Sequence, residues 1–387
     1  MPHIKVKPFD LDRIKSANQL KNIIKFRAKG DDELFGVEYK GEEFLINIKQ
    51  DSHNNTVIKY DKVSRPLNVE LVKEVIALIA NRLNLDTISS NIYSNSNAHT
   101  IPSEYLKKIK DFENIEFNGK KVALEVGFGS GKHILYQANC NRDKLYIGIE
   151  IHTPSATQLL KQIKIQELDN IWVVNYDARL LLEMLPSNSL EEIYVHFPVP
   201  WDKKPHRRVI SKSFLEESIR VLKPSHRLEL RTDSDKYFWY SLETFFDYPK
   251  ISVDVIKNRD LEVVSKYEAR WRRQKKDIYD VLVTSDELSD DINRDFDFSF
   301  RDIDFDISLK DKLPKKSQIF DGYFVHFERS YILDNGLLIK VAFGSFDRPE
   351  HKYILIENSK VRYISSSPVS TSTNYKAHQK LEEYFDV

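Results

Sequence analysis

The chain has 387 residues, too many for one ordinary core, so two or three domains are expected. Apolar residues make up 41% and aromatics 12%, which excludes a largely disordered chain. The 59 basic and 59 acidic residues cancel, so any nucleic-acid contact must come from clustering; the single cysteine, Cys140, excludes an internal disulfide and a multi-cysteine zinc site. No apolar run reaches the length of a membrane span, and residues 1–10 lack the apolar stretch of a signal peptide, so a cytoplasmic location is expected.

In chain order, 34–39 and 43–48 read as strands of a hairpin around Lys40-Gly41. Asn68 is positioned to cap a helix over 69–83, with Val72, Val75, Ile76, Ile79 and Leu83 at helical spacing. The Ser- and Asn-rich stretch 87–102 reads as a linker. From about residue 100, strand and helix alternate. Strands are expected at 121–126, 145–150, 171–177, 192–197 and 227–233. Helices are expected at 155–168, capped by Thr153, and from a Ser213/Glu216 capping box to Leu222. Such alternation predicts an α/β, Rossmann-like, mostly parallel sheet with helices on both faces, and ligands at the carboxyl ends of its strands. Beyond Thr284, Phe296, Phe298 and Phe300 alternate with polar residues, as do Ile303, Phe305 and Ile307, which predicts strand. Asp334-Asn335-Gly336 predicts a hairpin, 353–356 and 361–364 another, and 376–385 a closing helix. The expected division is an α+β extension with linker over 1–99, the α/β domain over 100–289, and a β-rich extension over 290–387, with no chemistry assigned to either extension.

The first strand of the alternating region ends in Glu125-Val126-Gly127-Phe128-Gly129-Ser130-Gly131. Glycine permits positive φ and leaves room for a ligand near the backbone. The third glycine falls one residue too early for a dinucleotide fingerprint, which disfavours pyrophosphate. Glu150 ends the next strand, where a carboxylate can accept both ribose hydroxyls, and Asp177 ends the third, where it can meet an adenine edge. Glu125 can take an ammonium. Acidic surroundings without a phosphate site suit a sulfonium cofactor, S-adenosylmethionine, with Glu125, Gly127, Gly129, Gly131, Glu150 and Asp177 as its ligands. No cluster points to a metal.

Two basic segments lie on the same side. The first, 196–208, holds Pro198-Val199-Pro200-Trp201-Asp202, then Lys203, Lys204, Arg207 and Arg208: a flat aromatic face beside phosphate-binding cations. The second runs Ser265-Lys266-Tyr267-Glu268-Ala269-Arg270-Trp271-Arg272-Arg273, and Arg272 and Arg273 read as RNA contacts.

Taken together these motifs resemble the bacterial tRNA (guanine-N7-)-methyltransferase family over about 121–284. The matching residues are 124–131, Gly148-Ile149-Glu150-Ile151-His152, Asp177-Ala178, Ser187-Asn188-Ser189-Leu190, Lys203 to Arg208, Thr232-Asp233 and 265–270. The resemblance implies an enzyme that methylates guanine N7 in the variable loop of tRNA. It further implies that Lys203, Asp233, Ser265, Lys266, Tyr267 and Glu268 contact the substrate. The chain departs from the family at two places: the acid of its Phe-Pro-Asp-Pro-Trp is Val199 here, and Trp271 stands where glycine is usual. Asp202 is the nearest carboxylate that can stand in as the catalytic group. Two other readings stay open at this stage: methylation of another RNA or a small nucleophile, and a catalytically silent RNA-binding protein.

Overall fold

A computed structural model describes residues 2–64, 66, 68–92, 103–264, 266–293 and 295–386. The chain divides into two compact units. One comprises Met1–Ile101, Asp297–Pro368 and Ser372–Val387; the other comprises Pro102–Phe296 with Val369–Thr371.

The first unit joins both ends of the chain. Its sheet runs, neighbour to neighbour, through Lys360–Tyr363, Glu350–Glu357, Gly336–Gly344, Phe324–Leu333, Ile24–Lys29, Glu33–Tyr39, Glu42–Gln50, Thr56–Tyr60, His3–Val6 and Thr87–Ser90. The expected hairpins form. Lys40 and Gly41 both take left-handed φ, +49° and +78°, as a two-residue turn between twisted strands requires. Asp334-Asn335 closes the second, with Leu333 paired to Gly336. Asn68 caps the helix Val69–Arg82 by accepting from the Glu70 amide.

Several expectations are corrected here. The two extensions are not separate: Ile332 pairs with Lys29, and Phe26, Ala28, Leu34 and Leu45 share a buried cluster with Tyr331, Leu333, Leu338, Tyr353 and Leu355. Strand Ile24–Lys29 would otherwise present an unpaired apolar edge. Residues 87–90 are not linker but an edge strand pairing with His3–Val6; residues 93–102 lie outside the described residues. The alternating aromatics around 298–305 form no strand, although Phe298 and Ile303 are buried. Asp297 accepts from the Ser299 amide and Asp306 from the Ser308 amide, local bonds that compete with a ladder.

In the second unit we label the strands β1 (Leu106–Lys107), β2 (Lys121–Val126), β3 (Lys144–Ile149), β4 (Ile171–Val174), β5 (Leu190–His196), β6 (Leu222–Thr232), β7 (Ser252–Lys257) and β8 (Tyr279–Thr284). The helices are α1 (Lys132–Cys140), α2 (Thr153–Ile165), α3 (Ala178–Met184), α4 (Lys212–Val221), α5 (Asp235–Phe246) and α6 (Lys266–Arg273). The sheet order is β7-β8-β6-β5-β2-β3-β4-β1. β1 to β6 pair in parallel; β8 is antiparallel to both its neighbours. Central strands are buried on both faces, which is why they read as continuous apolar runs. Val122 and Leu124 face a core with Leu181, Phe214, Ile219, Tyr237 and Phe245 of α3, α4 and α5. Ala123 faces Ile134, Leu159 and Ile163 of α1 and α2.

Two helix starts differ from the expectation by one or two residues. α2 begins at Thr153, behind His152, with Pro154 in its first turn. α4 is capped by Ser211, whose hydroxyl accepts from the Phe214 amide at 3.2 Å, rather than by Ser213.

Candidate active site

β2 lies between β3 and β5, and the chain leaves it first toward one side of the sheet and later toward the other. That reversal opens a crevice at the carboxyl ends of β2 and β5. The glycine turn sits there. Gly127 and Gly129 have φ of +70° and +52°, and the Gly127 amide donates to Ile149 O at 2.8 Å. A Cβ on Gly127 would meet nothing within 4 Å, and one on Gly129 only Gly127 O at 3.9 Å, so the space above the turn is open. Gly131 has a different task. It starts α1 with φ +74°, and a Cβ there would stand 2.8 Å from Leu159 Cδ1. Its constraint is therefore the packing of α1 on α2. Gly148, which the sequence offers only as part of a matching motif, is equally constrained: a Cβ would lie 2.8 Å from Ile134 and 2.9 Å from Phe128.

Glu150 follows β3 and is pinned on both oxygens. One accepts from the Gly129 amide at 3.1 Å, the other from the His152 amide at 2.9 Å. The turn and the carboxylate thus fix each other. Asp177 caps α3, accepting from the Arg179 amide at 3.0 Å, and pairs with the Arg179 guanidinium at 2.7 Å. Glu125 lies beneath α1, 4% exposed, and pairs with His133 Nδ1 at 2.9 Å. Burial opposes charge on the His133 ring, yet the Glu125 carboxylate leaves its pKa raised above the ordinary value. Two bare glycines under open space, with carboxylates at or near the ends of three strands, fit a cationic nucleoside cofactor such as S-adenosylmethionine.

Across the crevice, the loop after β5 is held by two non-glycine residues at positive φ, Phe197 at +51° and Trp201 at +45°. Val199 is exposed. Asp202 is turned to Arg208 at 3.6 Å, not to Lys203 or Lys204. Arg208 is itself buried, donates to Pro200 O at 2.8 Å and lies 4.3 Å above the Tyr240 ring. Lys203, Lys204 and Arg207 are exposed, and the Arg207 guanidinium covers Trp201 at 5.2 Å. At the end of β6, Asp233 accepts from Lys276 at 2.7 Å.

The segment expected to contact substrate is only partly arranged for it. Ser265 lies outside the described residues; Lys266 and Tyr267 open α6. Glu268 is 1% exposed and enclosed by Arg231 at 2.7 Å and Arg272 at 2.9 Å. Arg231, fully buried on β6, also pairs with Asp280 on β8. Glu268 therefore fastens α6 to the sheet. Arg272 belongs to the same network, bonded to Asp260 and to Arg259 O. Arg270, Arg273, Lys275 and Lys276 are exposed, Lys276 being the one paired with Asp233.

A buried polar chain escaped the sequence reading because its members are scattered over β5, β6, β8, α1 and the loop after β7. His196 Nε2 bonds Glu229 Oε1 at 3.1 Å, Arg259 reaches Glu229 at 2.8 Å and Asp280 at 3.3 Å, and the His196 ring packs 4.5 Å from that of His133. Burial would raise the Glu229 pKa, but His196, Arg259 and Arg227 prevail and hold it at about 2 instead of 4.5. The native state then binds fewer protons than the unfolded chain through that window. Stability is fully present above pH 4.5 and drains away as pH falls toward about 2. Glu229→Gln is expected to flatten this acid limb of the Tm–pH curve; an unchanged limb would count against the assignment.

Residues 119–281 match a family model described as "Putative methyltransferase". A protein from Wolinella succinogenes named tRNA (guanine-N(7)-)-methyltransferase is 38% identical over 380 residues, 97% of this chain and 96% of that protein. Proteins of the same name from Helicobacter pylori (strain HPAG1) and Campylobacter jejuni (serotype O:23/36, strain 81-176) are 40% and 38% identical. They cover 89% and 93% of this chain, and 87% and 92% of their own lengths. The similarity thus includes both flanking extensions as well as the α/β unit. By that full-length match the chain belongs to the tRNA (guanine-N7-)-methyltransferase family.

Proposed function

We propose that this protein transfers the methyl group of S-adenosylmethionine to N7 of a guanine in the variable loop of tRNA. The observation that carries this reading is the Glu150 carboxylate, locked to the Gly129 amide at the switch point and facing the same crevice as the basic loop after β5. S-adenosylmethionine supplies an electrophilic methyl on a sulfonium. Guanine N7 has an in-plane lone pair and no hydrogen, so the chain needs no general base; it must align the ring and tolerate a purine that becomes positive. Glu150 orients the ribose, Asp177 the adenine edge and Glu125 the ammonium, while Lys203, Asp233 and α6 bound the acceptor side.

The test is purified protein with labelled S-adenosylmethionine and unmodified tRNA, followed by location of the label. Methyl on guanine N7 supports the reading; methyl on another atom, or tRNA binding without transfer, overturns it. In the same assay Asp202→Asn reports on the one carboxylate of the loop. If Asp202 offsets charge on the base, single-turnover rate falls about 10²-fold, the scale of one preorganised electrostatic group. A rate within twofold of wild type limits Asp202 to bracing Arg208.

RNA affinity is expected from the exposed cations. Arg270→Glu with Arg273→Glu should weaken tRNA binding roughly tenfold or more and lower the salt slope by about 2, one per phosphate contact, with cofactor affinity unchanged. Filter binding across a salt series reads both quantities. Equal loss of tRNA and cofactor binding would show damage to the fold instead.

A further inference from the structure

The geometry points to Trp271 as the stacking platform for the acceptor guanine, offsetting with its ring face the positive charge that the family's missing carboxylate would otherwise meet. This inference rests on the reading that guanine N7 is the acceptor. Three observations place the ring. Trp271 on α6 packs against Phe197, ring centroids 4.9 Å apart. Phe197 directly follows β5, whose Val195 is in register with Val126 at the end of β2 where the glycine turn begins. Lys276 also lies over the Trp271 ring at 5.6 Å and is anchored to Asp233 at the end of β6. The ring is therefore held among the ends of β5 and β6, beside the turn from which the methyl is delivered.

The alternatives nearby are weaker. Trp201 is covered by Arg207 as Trp271 is by Lys276, but it stands on the exposed loop rather than on the helix that Glu268 fastens to the sheet. Val199 is exposed but carries no charge. Asp202 is turned to Arg208. Trp271 is partly exposed, and an indole face attracts cations more strongly than any other side-chain ring.

The chemistry makes such a face useful. The N7 lone pair forms the new N–C bond as the C–S bond breaks, and the bonding pair of that bond goes to sulfur. No proton is transferred; the positive charge passes from sulfonium to purine. A ring stacked on Trp271 gains attraction as that charge develops, so the contact is stronger in the transition state than before it. Lys276 marks the position of a cation over this ring, and it is exposed, so an entering base can displace it. Asp233 then faces the cationic purine.

Two measurements test this. Trp271→Ala should slow single-turnover methyl transfer at saturating tRNA by roughly 10–30-fold, while Trp271→Phe stays within about fivefold of wild type, both with unchanged S-adenosylmethionine affinity and Tm. Independently of turnover, wild type should bind 7-methylguanosine monophosphate several-fold more tightly than guanosine monophosphate at mildly acidic pH. Trp271→Ala should lose that preference. The inference is overturned if the Ala variant transfers at the wild-type rate, if it keeps the nucleotide preference, or if the Phe variant is as slow as Ala with a lowered Tm. A wild-type chain that methylates no guanine N7 would sink the functional reading, and the nucleotide preference would still decide the role of Trp271.

Discussion

Arg231→Met is expected to lower the Tm of the α/β unit by roughly 10 °C. Removing one partner of a buried ion group costs about 3–5 kcal/mol because the remaining charge stays buried and uncompensated, and a unit of this size loses about 2–4 °C per kcal/mol. Here the deletion takes the fully buried partner from two carboxylates, Glu268 and Asp280, at 1% and 0% exposure, and leaves them to the more exposed Arg272 and Arg259. The cause can be separated from mere loss of packing. Adding Glu268→Gln and Asp280→Asn to Arg231→Met should restore part of the loss, since a neutralised group no longer carries the desolvation penalty. Calorimetry on the single and triple variants decides it: a single variant within 1–2 °C of wild type, or a triple variant worse than the single, would contradict this account. Because Glu268 fastens α6, the single variant should also lose tRNA binding before it loses S-adenosylmethionine binding.

Glu150→Gln is expected to weaken S-adenosylmethionine binding about 10²-fold. A hydrogen bond to a charged acceptor is worth about 1.5–3 kcal/mol, and the carboxylate is read as accepting from both ribose hydroxyls. The substitution also turns one acceptor oxygen into a donor, so either the Gly129 or the His152 amide loses its partner. The expected pattern is a large rise in the cofactor Kd by calorimetric titration with the Tm lowered by only a few degrees. An unchanged Kd would remove Glu150 from the cofactor site.

How far these arrangements were legible varied with their range. The glycine turn, Glu150 and Asp177 were readable because each begins within three residues of a strand end, and a parallel sheet brings strand ends together. Lys40-Gly41 and Asp334-Asn335-Gly336 were readable because a tight turn is decided by its own residues. β7 and β8 were missed: they flank the parallel core and alternate weakly, with β7 largely exposed. Glu268 enters as a substrate contact through the family resemblance alone, which says nothing of what encloses it. Its actual partner, Arg231, lies 37 residues away and is brought to it only by the fold. The network of Arg272 was hidden in the same way: a charge run on a helix does not say which of its members reaches the sheet. The aromatic alternation around 298–305 shows the converse, a period that marks burial without a ladder, because aspartates bond their own backbone.

The pairing of Ile332 with Lys29 imposes an order on synthesis. Strand Ile24–Lys29 leaves the ribosome early, but its neighbour Phe324–Leu333 follows about 300 residues later, which at roughly 5–20 residues per second is roughly 15–60 s of waiting. During that interval the α/β unit between them can complete its core except for Val369, whereas the apolar edge of the amino-terminal sheet stays unpaired and open to other chains. Truncation before residue 324 should therefore cost the α/β unit one core side chain while exposing a sticky strand, so nascent-chain aggregation, more than loss of catalysis, is the failure to which this layout is most vulnerable.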